Sequence, residues 1–489
     1  MAASVNPDRS QWDVIVLGGA AAGENAAQYA TQYSGLSAVI VESNLLGGEC
    51  SYWACMPSKA LLRPVEVIDA ARSLPGLAAT LDPQAVLGHR DTVIHHLDDT
   101  SQVDWALQSG IDVVRGYGRL AGERTIDVAL PDGTTRRITA RHAVVIDTGS
   151  RPFLPDIDGL PAALPWSSQD VTTMREVPGR VVVLGGGVVA CEAATWLRGL
   201  GAEVTIVHRS TRLLTRHEPF AAAEVTDELR RSGVRLLTGR SATRVQRPQA
   251  QATGRGHIRG GEVHLTLDDG SELAADELVV ATGRTPNTTD IGLPAVGLTA
   301  GGYLHVDDHQ CVQGTGGGWL YAIGDVCGRA LLTHMGKYQA RIVGEVIAAR
   351  ATGAGELPSA AQGHRGMPQV VFTNPQIGST GLTEQQARDA GLDIDTVEYD
   401  LAALAGTYVM RPDYRGRAKL VIDRTDDTIV GATFAGAGIA ELVYAATTAV
   451  VTRIPLSALW HVVPCYPTAS EVWLRLLETL RQQRTDRER

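Results

Sequence analysis

Long apolar runs, an excess of positive charge and clustered metal-ligand cysteines are all missing from this 489-residue sequence. No uninterrupted apolar stretch approaches the roughly 20 residues that a helix needs to cross a bilayer, so no membrane span is expected. Acidic residues outnumber basic ones, 54 Asp and Glu against 44 Lys and Arg, for a formal net charge of −10. That balance argues against a nucleic-acid surface and against a polybasic membrane anchor. Lysine is scarce: Lys59, Lys337 and Lys419 are the only three. The bias carries little functional weight by itself, but it makes Lys59 more noticeable. The six cysteines, at 50, 55, 191, 311, 327 and 465, include no Cys-x2-Cys. The opening MAASVNPDRSQWDVIVLGG runs from a polar lead-in straight into a strand, without the charged and apolar regions of a signal peptide, so a cytoplasmic protein is expected. In that reducing compartment the cysteines do not form a structural disulfide framework, and the close pair Cys50 and Cys55 becomes a redox or metal candidate.

What is present is a repeat. The length suggests about three domains at roughly 150 residues each. A strand, a glycine turn, a helix and a second strand occur twice. The first copy, DVIVLGGAAAGENAAQYA (13–30), carries Gly18-x-Ala20-x-x-Gly23 before an Ala-rich helix, and its second strand, SAVIVE, ends in Glu42. This is the spacing at which a strand-end carboxylate meets a ribose hydroxyl while a pyrophosphate sits on the helix N-terminus. The second copy, GRVVVLGGGVVACEAATWLRGLGAEVTIVHRS (179–210), carries Gly185-x-Gly187-x-x-Ala190. Its strand-end position is His208, followed by Arg209 and Arg212, with no carboxylate. An acid would repel a 2′-phosphate and arginine would attract it, so NADPH is expected there in preference to NADH. Two copies with different strand-end chemistry predict two dinucleotides.

Each copy is followed by a similar strand and turn, AVVIDTGSRP (143–152) and LVVATGRTPN (278–287). Further on, WLYAIGDV (319–326) leads to Asp325, a carboxylate suited to a polyol or ribose. A helix is expected over LLTHMGKYQARIVGEVIAA, its N-terminus offering the positive end of its dipole to a flavin ring.

The stretch GGECSYWACMPSKALLRP (47–64) holds Cys50 and Cys55. As metal ligands they lack partners, since no Cys/His cluster follows. As packing thiols they would not need this company. In a regular helix, residues five apart have Cα atoms about 8 to 9 Å apart, beyond the usual disulfide span, so the first turn must be distorted if the two are to join. A helix N-terminus favours thiolate. The stretch reads as an active-site dithiol.

Together, GGAAAG, GGECSYWACMPSK, DTGSRP, GGGVVACE, ATGRTPN, YAIGDV and PTASE occur in an order that resembles the flavoprotein disulfide reductase family, which includes glutathione reductase, dihydrolipoamide dehydrogenase and mercuric reductase. The resemblance implies an α/β fold: two Rossmann-like dinucleotide-binding domains, for FAD and NAD(P), and a C-terminal α+β dimerisation domain. It divides the chain into an FAD-binding segment at 1–155, an NAD(P)-binding domain at 156–285, an FAD-binding return segment at 286–355 and an interface domain at 356–489. The Gly-rich RPQAQATGRGHIRGGE (247–262) is then a hairpin loop of the NAD(P) domain, expected as flexible surface.

The family's electron path runs from nicotinamide to flavin to disulfide. By motif position Cys55 is the thiol next to the flavin and Cys50 the outer, interchange thiol. Lys59 matches the lysine beside the flavin, and Glu192 the carboxylate that pairs with it. Cofactor contacts carry over onto Gly18, Ala20, Gly23, Glu42, Gly48, Thr148, Gly149, Arg284, Asp325 and Thr333, and onto Gly185, Gly187, Ala190, His208, Arg209 and Gly283. Val188 stands where many relatives place an aromatic lid over the nicotinamide pocket. A homodimer is implied, with the C-terminal segment completing the partner subunit's site.

The departure lies in HVVPCYPTASEVW (461–473). Thiol-reducing relatives have His-Pro-Thr-x-x-Glu, with the His as proton shuttle; here the position is Tyr466, and the orienting carboxylate is kept as Glu471. Histidine titrates near 6.5 and tyrosine near 10, and general acid–base catalysis is worth roughly 100- to 10,000-fold. Slow turnover of glutathione-, mycothiol- or lipoamide-like disulfides is therefore expected, with His461 placed at the surface or core edge. Mercuric reductases share a Tyr-x-Thr-x-x-Glu pattern, and soft thiolates suit soft metals. Mercuric reductases also carry a C-terminal Cys-Cys and an N-terminal metal-binding domain; neither is expected here, and Cys465 is expected as a packed residue. No resident metal is expected. The acceptor is left open between a soft metal ion, a quinone and a reactive disulfide. A mercuric-reductase-like enzyme, a dihydrolipoamide-dehydrogenase-like enzyme and a non-catalytic flavin-binding redox sensor stand as alternatives.

Overall fold

The computed structural model describes residues 9–353 and 355–489, which fall into two compact units. The first takes the chain up to Pro57, Asp91–Pro152 and Arg284–Gly363; the second takes Ser58–Arg90, Phe153–Gly283 and His364–Arg489.

The first unit is organised around β1 (Gln11–Leu17), which pairs in parallel with β2 (Ala38–Glu42) on one side and with the strand Thr135–Ile146 on the other. Ile111–Arg115 continues the parallel sheet beyond β2, and Leu320–Ala322 adds to Thr135–Ile146. Thr125–Ala129 and Tyr117–Gly122 extend it as antiparallel strands. The central strands read as unbroken apolar runs because both faces are covered. On one face Ile15, Leu17, Val39, Val41, Val144 and Ile146 share a cluster. On the other, Val14, Val16, Ile40 and Val145 pack with Ala22, Ala26, Ala27 and Ala30 of α1 (Ala21–Thr31) and with Val343 and Val346 of the helix Thr333–Thr352. Alanine on α1 and glycine on its neighbour let the two helices touch. A Cβ on Gly344 would lie 2.5 Å from the Tyr29 Cβ, and one on Gly336 would lie 3.2 Å from the Ala22 Cβ.

The second unit repeats the pattern. Arg235–Thr238, Glu203–His208, Arg180–Leu184 and Glu277–Val280 form a parallel sheet in that order, and the helix Val188–Gly199 follows the Arg180 strand directly. Ala242–Gln246, Val263–Leu267 and Glu272–Ala275 make an antiparallel sheet beside it in sequence. Towards the C-terminus a five-stranded antiparallel sheet, ordered Gln369–Val371, Gln376–Gly381, Thr428–Gly436, Gly416–Asp423 and Ile394–Asp400, packs with Leu476, Leu477 and Leu480 of the last helix, Val472–Glu488. Among the described residues no helix is long and apolar enough to cross a membrane.

The segment 247–262 connects two antiparallel strands and most of it lies at the surface as expected, but it is tethered at several points rather than loose. Arg247 makes an ion pair with Glu277, 2.8 Å apart, with both side chains 0% exposed. Arg259 is 2.8 Å from Asp170, and the Trp166 indole donates to the His257 carbonyl at 3.0 Å. Gly256, at φ 73°, leaves room where a Cβ would lie 2.3 Å from the Thr173 carbonyl oxygen. Gly256 permits the close approach to backbone, and Arg247 and Arg259 find buried counter-charges in Glu277 and Asp170.

Removing one member of a buried pair strands the other charge. Arg247→Met is expected to lower stability by about 3 to 5 kcal/mol, read as a lower urea midpoint for the second unit. The double variant Arg247→Met, Glu277→Leu is expected to recover most of that loss.

Candidate functional site

The two cysteines lie on either side of a helix break. α2 (Gly48–Tyr52) starts after Gly47 at φ 104°, with Gly48 at φ 63°, conformations that favour glycine. It stops at Trp53, whose φ of −133° leaves the helical region, and the Trp53 and Ala54 amides both donate back to the Glu49 carbonyl. α3 (Cys55–Ser73) then begins at the second cysteine. Tyr52 and Trp53, 0% and 5% exposed, anchor the break in an apolar cluster with Ile94. Both cysteines are reduced and partly buried. A hydrogen bond to Cys55 and then burial push the Cys50 thiol well above its ordinary range, so Cys50 holds its proton. The Cys55 Sγ lies 3.3 Å from the Thr333 Oγ1, at the first residue of the helix Thr333–Thr352.

The nucleotide turn of the first unit is closely packed. A Cβ on Gly18 would sit 2.1 Å from the Asp147 carbonyl oxygen, and one on Gly23 would sit 2.1 Å from the Gly18 oxygen. The Ala20 methyl is accommodated because its neighbour is Gly48, where a Cβ would be 2.6 Å away. Glu42 accepts from the Gly19 amide and the Asn44 amide, each at 2.7 Å, which fixes its carboxylate at the end of β2 with lone pairs to spare. Thr148 and Asn287 exchange two hydrogen bonds, at 2.8 and 2.9 Å. At Gly149, Gly187 and Gly283 a Cβ would meet nothing within 4 Å. Arg284 donates to Ser150 Oγ at 2.6 Å and to the Glu49 carboxylate; Ser150 in turn donates to Asp325 Oδ2 at 2.5 Å. Gln339, 0% exposed, accepts from the Gly324 amide at 2.8 Å, and its Nε2 finds no partner among the described residues. Glycine turns without room for side chains, open ground at Gly149 and an orphaned buried donor fit an FAD lying along this face.

Sequence reading missed Asp147. It is buried, accepts from the Gly23 amide at 2.5 Å, and burial raises its pKa well above the usual carboxylate range. The available signal was an acid ending the apolar run AVVID.

In the second unit, Lys59 Nζ lies 2.9 Å from Glu192 Oε2 and 4.6 Å from the centre of the Phe372 ring. The other Glu192 oxygen accepts from the Phe372 amide at 2.9 Å, so this buried carboxylate is fully engaged. At the second glycine turn, Gly185 has φ 130° and a Cβ there would lie 2.3 Å from the Ala281 carbonyl oxygen. Ala190 is buried at 0% exposure. The His208 ring packs under Gly186, where a Cβ would come within 2.5 Å, and burial followed by Arg209 lowers its pKa, favouring neutral imidazole. Arg209 is exposed, whereas Arg212 donates to the Thr215 and His217 carbonyls of its own loop. Val188 opens the helix half-buried.

The C-terminal residues are close in sequence but differently placed. Tyr466 is 73% exposed, and Val462 and Val463 beside it are 65% and 86% exposed. Glu471 is 6% exposed; its Oε1 lies 3.2 Å from Arg475, while its Oε2 is buried without a partner among the described residues. His461 and Cys465 are both exposed, so the expectation that Cys465 is a packed residue is corrected.

The family model described as pyridine nucleotide-disulphide oxidoreductase matches residues 12–353, and that of its dimerisation domain matches residues 367–476. A mercuric reductase of Streptomyces lividans is 32% identical over 462 residues, covering 92% of this chain and 93% of the relative. A glutathione reductase of Burkholderia cepacia is 29% identical over 476 residues, covering 95% and 98%. Among solved structures, the Cu(II) complex of the HOCl-induced flavoprotein disulfide reductase RclA from Escherichia coli superposes with a TM-score of 0.81 at 24% identity, covering 96% of this chain and 99% of that one; it speaks to the fold alone. With both models matched in order along nearly the whole sequence, the chain belongs to the flavoprotein disulfide reductases, the FAD-dependent pyridine nucleotide-disulphide oxidoreductases that carry electrons between a nicotinamide, FAD and a cysteine pair.

Proposed function

We propose that this enzyme draws electrons from NADPH and delivers them through Cys50 and Cys55 to an acceptor that needs no histidine proton shuttle: a soft metal ion, a quinone or a reactive disulfide. The observation that carries this reading is the thiol pair itself, hydrogen-bonded across a helix break with Thr333 at 3.3 Å from Cys55. FAD held on the glycine-lined face supplies the relay between the nicotinamide's hydride and the two electrons that open the disulfide. Gly18, Ala20, Gly23, Glu42, Gly48, Thr148, Gly149, Asp325 and Thr333 are the residues proposed to hold it, with Arg284 keeping Asp325 and Glu49 in place.

Cys55 opens α3, where unpaired backbone N–H groups favour a negative sulfur. Cys50 keeps the proton and is the outer thiol that meets the acceptor. Lys59, fixed by Glu192, supplies a positive charge on the same helix. For the nucleotide, Gly185, Gly187, Ala190 and Gly283 are proposed to line its path. Neutral His208 leaves Arg209 as the cation for a 2′-phosphate. The dimerisation-domain match and the exposed apolar surface at Val462, Val463 and Tyr466 support a homodimer whose C-terminal segments complete each other's sites.

A soft-metal reductase is the second reading, favoured by the Tyr466 and Glu471 pattern and by the 32% identical mercuric reductase of Streptomyces lividans. Thiolates bind soft metals directly, and such an acceptor asks little of a proton carrier.

Three outcomes are expected. Cys50→Ser should leave flavin reduction by NADPH intact under anaerobic conditions while abolishing turnover on metal and disulfide acceptors; full turnover in that variant would mean direct transfer from the flavin. Tyr466→His should raise turnover on glutathione- or lipoamide-type disulfides at least tenfold, a fraction of the roughly 100- to 10,000-fold available from general acid–base catalysis. No gain would show that the missing histidine is not what limits those substrates. Arg209→Glu should raise the KM for NADPH much more than that for NADH, and an equal effect on both would remove the 2′-phosphate assignment.

A further inference from the structure

Glu24 has no place in the reading above, yet it is the acidic residue in the first turn of α1, immediately after the glycine turn. Its Oε1 is buried with no hydrogen-bond partner among the described residues. A buried, unsatisfied carboxylate oxygen is costly, and the cost falls when the group takes a proton.

The surroundings tie this group to the dithiol. α1 and the helix Thr333–Thr352 meet where Gly336 faces Ala22, with a Cβ there 3.2 Å from the Ala22 methyl. That close approach brings the first two turns of the Thr333 helix alongside the start of α1. Thr333, on the first turn, reaches the Cys55 sulfur at 3.3 Å. Lys337 lies four residues on, so it projects from the same side of the helix. It is exposed, and its charge acts on both the Cys50 thiol and the Glu24 carboxyl, lowering the proton affinity of each. The other charged or titratable groups acting with Glu24 are Asp99 ahead of its helix, Glu42 at the end of β2, Tyr52 on α2 and Asp147 beside Gly23. Asp99 and Glu42 disfavour a negative charge on it, while Tyr52 and Asp147 keep their protons and are themselves held protonated in part by the Glu24 charge. Burial, the largest influence, pushes the Glu24 pKa up to about 7 against the pull of Lys337.

We infer that Glu24 is a redox-linked proton site, taking up a proton from solvent when the Cys50–Cys55 disulfide is reduced and releasing it when the pair is reoxidised. The inference rests on the dithiol reading. Reduction breaks the S–S bond with two electrons from the nicotinamide, delivers one proton to Cys50 and leaves Cys55 as thiolate. The new negative charge arises in the field of Lys337 and offsets it, and that field is what favours the ionised form of Glu24. Glu24 then binds a second proton, and the net charge of the pocket stays unchanged where it would otherwise have fallen by one. Lacking histidine at Tyr466, the subunit keeps a proton near its own dithiol.

The test is the midpoint potential of the dithiol in FAD-loaded enzyme, poised anaerobically against a dithiothreitol couple over a pH range spanning about 6 to 8. Each proton taken up per two electrons shifts the equilibrium constant tenfold per pH unit, about 30 mV. The native slope is expected to exceed the one-proton value near neutrality. Glu24→Gln, nearly isosteric, is expected to return it to one proton. Lys337→Met, at an exposed position, is expected to do the same by leaving Glu24 protonated in both redox states. A slope unchanged in both variants, with the dithiol still titrating, overturns the inference and spares the dithiol reading. Failure of two new thiols to appear when native enzyme is reduced with NADPH removes the dithiol reading and this inference with it.

Discussion

The contact between α1 and the helix Thr333–Thr352 is the constraint on which the first unit depends. Two segments more than three hundred residues apart in sequence lie close enough that Gly344 can carry no side chain, since a Cβ would come 2.5 Å from Tyr29. Glycine inside a helix costs about 1 kcal/mol relative to alanine. Here that cost is offset by a packed interface that includes Ala22, Ala26, Val343 and Val346. The same contact sets the height of the second helix relative to the nucleotide turn. Thr333 therefore arrives at Cys55, and Gln339 at the Gly324 amide, without either needing a loop to position it.

Buried carboxylates then separate what is structural from what is left for chemistry. Glu277 is fully buried and fully matched by Arg247, and Lys419 is held between Glu218 at 3.3 Å and Glu384 at 2.5 Å. Both are complete within the chain, as expected of groups whose work is architectural. Glu192 is also complete, but its partner Lys59 is 36% exposed and leans on an aromatic face. Part of that lysine's charge is directed to solvent or to a ligand. Glu24, Asp147 and Glu471 differ again: each is held in the fold with an unmatched oxygen or a carboxyl that burial drives toward protonation.

The features legible in the sequence are those with a local steric cause. Gly18, Gly23 and Gly185 mark turns where a Cβ has no room, and both strand-turn-helix units lie where the glycines place them. The break at Trp53 follows from what two cysteines five residues apart require. What could not be read depends on partners distant in sequence. The Asp147 bond to the Gly23 amide spans 124 positions. The anchoring of 247–262 by Asp170 and Glu277 was equally hidden, and glycine content suggested mobility where the structure has close backbone approach. Arg212 looked available for a phosphate because sequence cannot say that carbonyls of its own loop receive it.

The C-terminal segment places a buried carboxylate and an exposed ring five residues apart in one packed turn. Glu471 sits buried at the start of the last helix, and Arg475 one turn on takes up one of its oxygens. An imidazole would have used the other as both orienter and charge partner. A phenol has a single oxygen, so it cannot hold the carboxylate at one atom and exchange a proton at another. Tyr466 is 73% exposed and, with the exposed Val462 and Val463, adds apolar surface. An unpaired buried oxygen costs about 1 to 3 kcal/mol, and Glu471 bears it while the surrounding helix and sheet stay packed. The segment thus joins a buried carboxylate with one unpartnered oxygen among the described residues to exposed apolar surface at Val462, Val463 and Tyr466.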